Sequence, residues 1–438
     1  MTPPKIDSFS GLKALRPAPR RRDVSTPRGY VPDVPEAAGR LAELLGASLG
    51  RNRFGEHLAL RRWFPEPSAS APQPEALRLL TPGLPDEAAD PGQWLFLDTE
   101  TTGLAGGTGT YAFLVGLAWW DSGGLAVEQF FMRDYSEEHS VLVALAERMA
   151  ERRVLVTFNG KSFDWPLLET RFRMTRCIAP RAPRAHLDLL HPARHLWRPR
   201  LGSVRLAQLE RHVLGWDRGA DVMSELIPQI YFDFVRGGPA DPLLPVFHHN
   251  QMDLRGLASL SGKILSLLAA PEASEGDALD LFGLSRLLDR RGDDAAAGRL
   301  YGRALGAGLP PPLDRAARHD LARLAKRERN FPLANSLWEE LCGDSREGLE
   351  AYEQLAIYYE HHARDSVRAA ELTRVALRSL AQAARTGDLE PGRARRYRDR
   401  LEHRLARLCS KSRDPLFERS VSEARRGRGE SNGRSTKV

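Results

Sequence analysis

A chain of 438 residues with 42% hydrophobic side chains and a formal net charge of +7 exceeds what one core accommodates and suits two domains with tails. Cys177, Cys342 and Cys409 lie far apart, which excludes a CxxC zinc pair and a disulfide framework. No signal-peptide core opens the chain and no run approaches the roughly 18 apolar residues of a membrane span, so a cytoplasmic protein without a membrane partner is expected.

Residues 1–92 read as leader and linker, partly disordered, because 1–35 and 65–92 are rich in Pro, Ala, Ser and charge; the piece between them has no assigned structure. The positive charge concentrates at the ends. Residues 1–31 hold seven Lys or Arg against two Asp and residues 410–438 hold eight against four acids, which leaves the middle at −2. Basic balance alone therefore does not establish a nucleic-acid partner.

From Trp94 the pattern changes. The run 94–98 (WLFLD) is continuously apolar and ends in an acid, which suits a strand buried on both faces. Residues 112–120 and 125–133, separated by Asp-Ser-Gly-Gly, predict a hairpin. A helix over 140–152, a buried strand over 153–158, a helix after Ser162, a short strand near 186–190 and helices from Ser203 to about Ala269 follow. This order predicts an α/β domain over 93–270 with a mixed sheet.

Beyond the break at 271–276 the chain reads as wholly helical. Leu284, Leu321 and Leu355 are 37 and 34 residues apart, Tyr301, Trp338 and Leu372 lie seventeen residues beyond each, and Ala297 and Ala334 precede the first two of these by four. The spacing suits a tetratricopeptide-like repeat domain over 276–408; a generic helical bundle is the alternative, because the third copy lacks the small residue. Either surface suits a protein partner. Residues 409–438 read as a basic disordered tail.

Candidate chemistry sits in three segments. Asp98 and Glu100 stand two apart at the end of the first strand, so both carboxylates face one side about 7 Å apart along the chain, unless they form only a solvated strand-end turn. Buried together, such acids repel unless a cation lies between them. Asp164 follows the 153–158 strand, in the first turn of a helix expected to be capped by Ser162, where the helix dipole favours negative charge even without a ligand. Asp253 stands near the start of an amphipathic helix marked by Leu254, Leu257, Leu260 and Ile264, where a lone Asp is commonly a cap. Oxygen ligands without a Cys/His cluster select Mg2+ or Mn2+ over zinc.

Asp98-Thr-Glu100, Asn159-x-x-x-Phe163-Asp164 and His249-x-x-x-Asp253 resemble the three exonuclease motifs of the DEDD superfamily. The stretches TGLAGGTGTYAFLVG, TFNGKSFDWPLLETR, HLDLLHPAR and HNQMD are more closely similar to the YprB-like branch of RNase H-fold proteins. The resemblance implies an RNase H-like sheet flanked by helices. It also implies two divalent cations held by Asp98, Glu100, Asp164 and Asp253, and hydrolysis of phosphodiester bonds, as by a 3′–5′ exonuclease. His249 stands where the tyrosine-type pattern has Tyr. A helix running through this segment puts His249 on the face of Asp253, whereas a helix starting after Asn250 lets His248 fold over the site. Glu100 is expected to position the water and His249 to assist.

The remaining candidates concern substrate. Ten arginines between 171 and 211 face only Asp188 and Glu210, and this local +8 attracts phosphate, or else reflects a chain in which Arg greatly outnumbers Lys. Asn159, Lys161, Arg194, Arg198 and Arg200 are the expected nucleic-acid contacts, to DNA or RNA. The glycine-rich stretch 103–109 lacks a GK[ST] ending and a following helix, so it reads as a tight turn and not a nucleotide cradle. Asp188 is either an outer carboxylate of the site or a hydrogen-bonded strand-end acid. A nuclease whose helical domain recruits a partner is the leading reading. A nucleic-acid-binding adaptor with little catalysis and a protein-binding scaffold are the alternatives.

Overall fold

A computed structural model describes residues 34–66, 72–103, 109–176, 183–342, 348–387 and 389–411. Residues 104–108 of the glycine-rich stretch, Arg181, Cys177 and the two basic tails lie outside the described residues.

The segment between leader and linker is the first surprise. It forms α1 (Val34–Leu45), β1 (Ser48–Asn52) and β2 (Gly55–Phe64). Helix α1 buries Ala37, Ala38, Leu41 and Leu45, one stripe at three- and four-residue spacing. The stretch expected as linker carries α2 (Pro74–Leu80), whose Ala76, Leu77 and Leu80 are buried. Thus residues 34–66 and 72–92 contribute to the packed molecule.

Next come β3 (Trp94–Thr101), β4 (Ala112–Asp121), β5 (Gly124–Phe131), α3 (Glu138–Ala150), β6 (Val154–Thr157), α4 (Asp164–Met174) and β7 (Ala185–Asp188). The hairpin expected between 112 and 133 turns through Ser122 and Gly123, both at positive φ, which a two-residue hairpin turn requires. The seven strands pair in the order β1-β2-β5-β4-β3-β6-β7. Antiparallel pairing runs from β1 to β3, and β3-β6 and β6-β7 are parallel. The sheet is mixed, as the element order predicts, and the N-terminal hairpin extends it. Side chains of β3 alternate between two cores, Trp94 and Phe96 in one and Leu95 and Leu97 in the other. Hence its apolar run is continuous.

Helices α5 (Leu190–Leu201), α6 (Leu206–Leu209), α7 (Ile227–Val235) and α8 (Leu244–Ala269) complete the α/β part. No helix was expected over 190–201. Pro192 and Pro199 interrupt its pattern, yet it buries Leu190, Ala193, Leu196 and Trp197. Helix α8 lies against β3, β4 and β5, close enough at Gly116 that an added Cβ would sit 2.2 Å from Asn250 Oδ1. The absence of a side chain at Gly116 is what admits the Asn250 amide.

The chain then becomes all-α, through α9 (Ala278–Arg291), α10 (Asp294–Ala307), α11 (Pro311–Arg327), α12 (Phe331–Leu341), α13 (Gly348–His361), α14 (Ser366–Thr386) and α15 (Pro391–Lys411). Each packs on the next. The periodic residues Leu284, Ala297, Tyr301, Leu321, Ala334, Trp338, Leu355 and Leu372 are all buried. The break at 271–276 divides the chain but not the packing. Helix α5 packs on α9, with Gly283 so close that a Cβ would lie 2.2 Å from the Leu196 carbonyl, and one apolar cluster runs from Phe96 to Leu355. No helix among the described residues is long and apolar enough to cross a membrane.

Candidate active site

The end of β3, the start of α4 and the first half of α8 bring four acids together. Asp98 and Glu100 leave β3, where Asp98 pairs with Gly116 and a register shift follows Glu100. Asp164 opens α4. The residue before it, Phe163, holds the capping position without a side-chain hydrogen bond, so Ser162 is not the cap; the tight turn instead donates Ser162 N–H to the Asn159 carbonyl, 3.1 Å away. Asp253 lies on α8, which runs through the whole His-Asn-x-x-Asp segment. Its continuity sorts the histidines: His248 is exposed, and His249 is buried with Nε2 3.6 Å from Asp253 Oδ2 and 3.9 Å from Glu100 Oε1.

Hydrogen bonds fix this arrangement. Thr99 donates its hydroxyl to Asp164. Asn250 donates to Asp98 Oδ2 at 2.7 Å, and its own oxygen accepts from the buried Gln129, 2.8 Å away. Gln129 also donates to the Phe247 carbonyl and accepts from Gln251. This chain of amides holds one carboxylate in one orientation.

Electrostatics are strained in the expected sense. Burial, then the charges of Asp253 and Asp164, push the Asp98 carboxyl well above the usual range, against the Asn250 hydrogen bond. Burial and the neighbouring acids do the same at Glu100. Asp164 rises to about 6, burial outweighing the Thr99 hydrogen bond. Clustered acids that resist ionisation together are what a divalent cation relieves.

A second layer of charge was invisible in the sequence. Arg218, almost wholly buried, donates to Glu210, to Asp221 Oδ2 at 3.1 Å and to Asp253. Glu210 is fully buried and needs the absence of a side chain at Gly256, where a Cβ would collide with it. Asp221 Oδ1 lies 2.8 Å from His249 Nδ1. Burial raises the Asp221 carboxyl, but hydrogen bonds and charge from His249 and Arg218 outweigh it and hold it below the ordinary value. Glu210, Arg218 and Asp221 come from the stretch 210–221, where no periodicity marks them; a five-residue Asp-Arg-Gly-Ala-Asp run was the available signal.

Two clefts open on the acids. One, of about 660 Å³, is lined by Asn159, Arg194, Arg205, Asp221, His249 and Asp253 among others. The other, of about 200 Å³, is lined by Glu100, Asp164, Thr99, Phe163, Ile227 and Pro228 among others. The structure therefore puts Asn159 and Arg194 at the cleft, and adds Arg205. Arg200 is a correction: its Nε donates to Asp280 Oδ1 at 2.7 Å, so it ties α5 to α9. Arg198 and Lys161 are exposed and line neither cleft. Asp188 accepts the backbone N–H groups of Asn159 and Lys161 at 2.8 and 3.0 Å and so holds the turn before α4.

The donor set fits a hard divalent cation, being oxygen-only, largely buried and compensated only in part, by Arg218 at Asp253. As the side chains stand, no three His, Cys, Asp or Glu groups among the described residues close on one point at ligand distance. Arg218 holds one Asp253 oxygen in this arrangement.

The family model described as RNase_H superfamily matches residues 95–265, which contain every side chain of this cluster. That superfamily is of nuclease type, acts on nucleic acid, and its members generally use divalent metal ions. The uncharacterised protein YprB of Bacillus subtilis (strain 168) is 33% identical over 336 residues, covering 72% of this chain and 74% of that one. With a matching superfamily domain and similarity over more than two thirds of its length, the chain belongs to the YprB-like family of RNase H-fold proteins.

Proposed function

We propose that the protein is a metal-dependent nuclease that hydrolyses phosphodiester bonds, acting as a 3′–5′ exonuclease on DNA or RNA. The observation that carries this reading is the meeting of Asp98, Glu100, Asp164 and Asp253 from three separate elements, three of them with carboxyls driven upward by burial. These four would hold two divalent cations, Mg2+ or Mn2+. The chemistry such ions supply when bound is an activated water and a stabilised leaving oxygen.

The chain's own residues do the rest. Glu100, whose Oε1 is 3.9 Å from His249 Nε2, orients the water. His249 Nε2, directed at the acids, accepts the proton the water loses as its oxygen bonds phosphorus and the P–O bond to the leaving nucleotide breaks. Asn159, Arg194 and Arg205 line the larger cleft and are suited to phosphate oxygens. Phe163, half exposed beside the smaller cleft, offers a base a stacking face. The helical array, with repeat spacing suited to a tetratricopeptide-like fold, would seat a protein partner.

The test is incubation with end-labelled single- and double-stranded DNA and RNA, with Mg2+ or Mn2+ or chelator, and with Asp98→Ala as control. Metal-dependent shortening lost in Asp98→Ala supports the reading. Binding without cleavage in every condition would make the protein an adaptor.

A further inference from the structure

We propose that Asp221 is a positioning residue for His249, fixing the imidazole so that Nδ1 always carries a proton and Nε2 is the nitrogen offered to the reacting groups. The inference rests on the nuclease reading only for its catalytic consequence.

The two rings of contact around His249 differ in kind. On one side Nδ1 is 2.8 Å from Asp221 Oδ1, a full hydrogen bond. On the other, Nε2 is 3.6 Å from Asp253 Oδ2 and 3.9 Å from Glu100 Oε1, beyond hydrogen-bond reach. An ionised carboxylate only accepts, so Nδ1 must donate in both the neutral and the charged ring. Nε2 is thereby left for chemistry.

Asp221 is itself held. Its second oxygen accepts from Arg218 Nη1 at 3.1 Å, and Arg218 is anchored by the fully buried Glu210. The restraint passes from the buried Glu210 through Arg218 and Asp221 to the ring. A carboxylate on the far nitrogen is the general device for setting a histidine's tautomer and direction. Neither His249 nor its helix can supply that restraint alone, because a half-turn of the ring about Cβ–Cγ would put Cδ2 and Cε1 where Nδ1 and Nε2 stand.

The experiment uses full-length protein labelled with 15N-histidine, with the His249 signals assigned by their loss in His249→Gln, in Mg2+ and in chelator. In the wild type Nδ1 is expected to bear the proton in both conditions. In Asp221→Asn a population protonated only on Nε2 is expected, and Asp221→Glu should restore the wild-type pattern. A wild-type ring protonated only on Nε2, or an unchanged pattern in Asp221→Asn, would overturn the proposal. In cleavage assays Asp221→Asn should lower kcat roughly 10²-fold or more with KM within about threefold. The double variant Asp221→Asn/His249→Gln should be no slower than His249→Gln; a further loss would mean that Asp221 acts elsewhere. If the wild type cleaves nothing, the nuclease reading falls, while the nitrogen measurement still decides the orientation.

Discussion

Asn250 reaches across 152 residues of chain to donate its amide to Asp98 Oδ2 at 2.7 Å, and Gln129 supplies the bond that orients the amide. Gly116, paired with Asp98, leaves the room for it. Asn250→Ala removes the hydrogen bonds its side chain makes to Asp98 and accepts from Gln129 and strands their partners, which should cost about 1–3 kcal/mol. Gly116→Ala forces Asn250 aside and should lose a comparable amount. Urea unfolding of the two variants measures both, and unchanged midpoints would mean that the amide chain carries no energy.

The acids should behave differently from one another when removed. Asp98→Asn, Glu100→Gln and Asp164→Asn relieve carboxyls that burial holds high, so in chelator at pH 7.5 each should melt at or above the wild-type temperature while cleavage falls at least about 10²-fold. Asp253→Asn instead takes a partner from buried Arg218 and should melt lower. The sign with pH follows. Asp164 rises from 3.8 to about 6, so its contribution to metal-free stability is fully present below about 3.8 and lost as pH rises through about 6. Melting from pH 5 to 8 in chelator should fall more steeply in the wild type than in Asp164→Asn; parallel curves would contradict the assignment.

The arginines divide by geometry. Arg194→Ala and Arg205→Ala should weaken nucleic-acid binding and flatten its dependence on salt, because each lines the larger cleft. Arg200→Ala should leave the salt slope alone and lower stability, since it breaks the tie to Asp280. Fluorescence anisotropy between 50 and 200 mM salt, about a decade in affinity for a few contacts, separates the cases.

Most of the sheet was legible because burial on both faces writes itself as an unbroken apolar run, as in 94–98 and 153–158. Acids at run ends stood out for the same reason. Helix α5 was not legible, since its two prolines imitate a break while its contacts with α9 supply the stability that propensity lacks. Arg218, Asp221 and Glu210 escaped because their pattern exists only in three dimensions, on a stretch without period. Arg200 misled because an arginine in an ion pair and one awaiting phosphate look alike in a sequence.

Removing residues 276–438 would cut the apolar cluster that α5 and α8 share with α9. The truncated chain should aggregate or melt well below the full chain, and Gly283→Val, which pushes on the Leu196 carbonyl, should reproduce part of the loss. A monomeric fragment with wild-type melting would show that the helical array adds nothing to the core.

The most direct measurement is calorimetric titration of Mn2+ into metal-free protein at pH 7.5, in two buffers of different ionisation enthalpy. The account predicts about two ions bound per chain, with a release of protons that grows when the titration is repeated below about pH 6, because burial raises the Asp164 carboxyl to about 6 and the Asp98 and Glu100 carboxyls well above the usual range. It also predicts that Asp98→Asn abolishes at least one of the two binding events. No binding by the wild type, or the same isotherm from wild type and Asp98→Asn, would contradict the claim that these carboxylates form a metal centre.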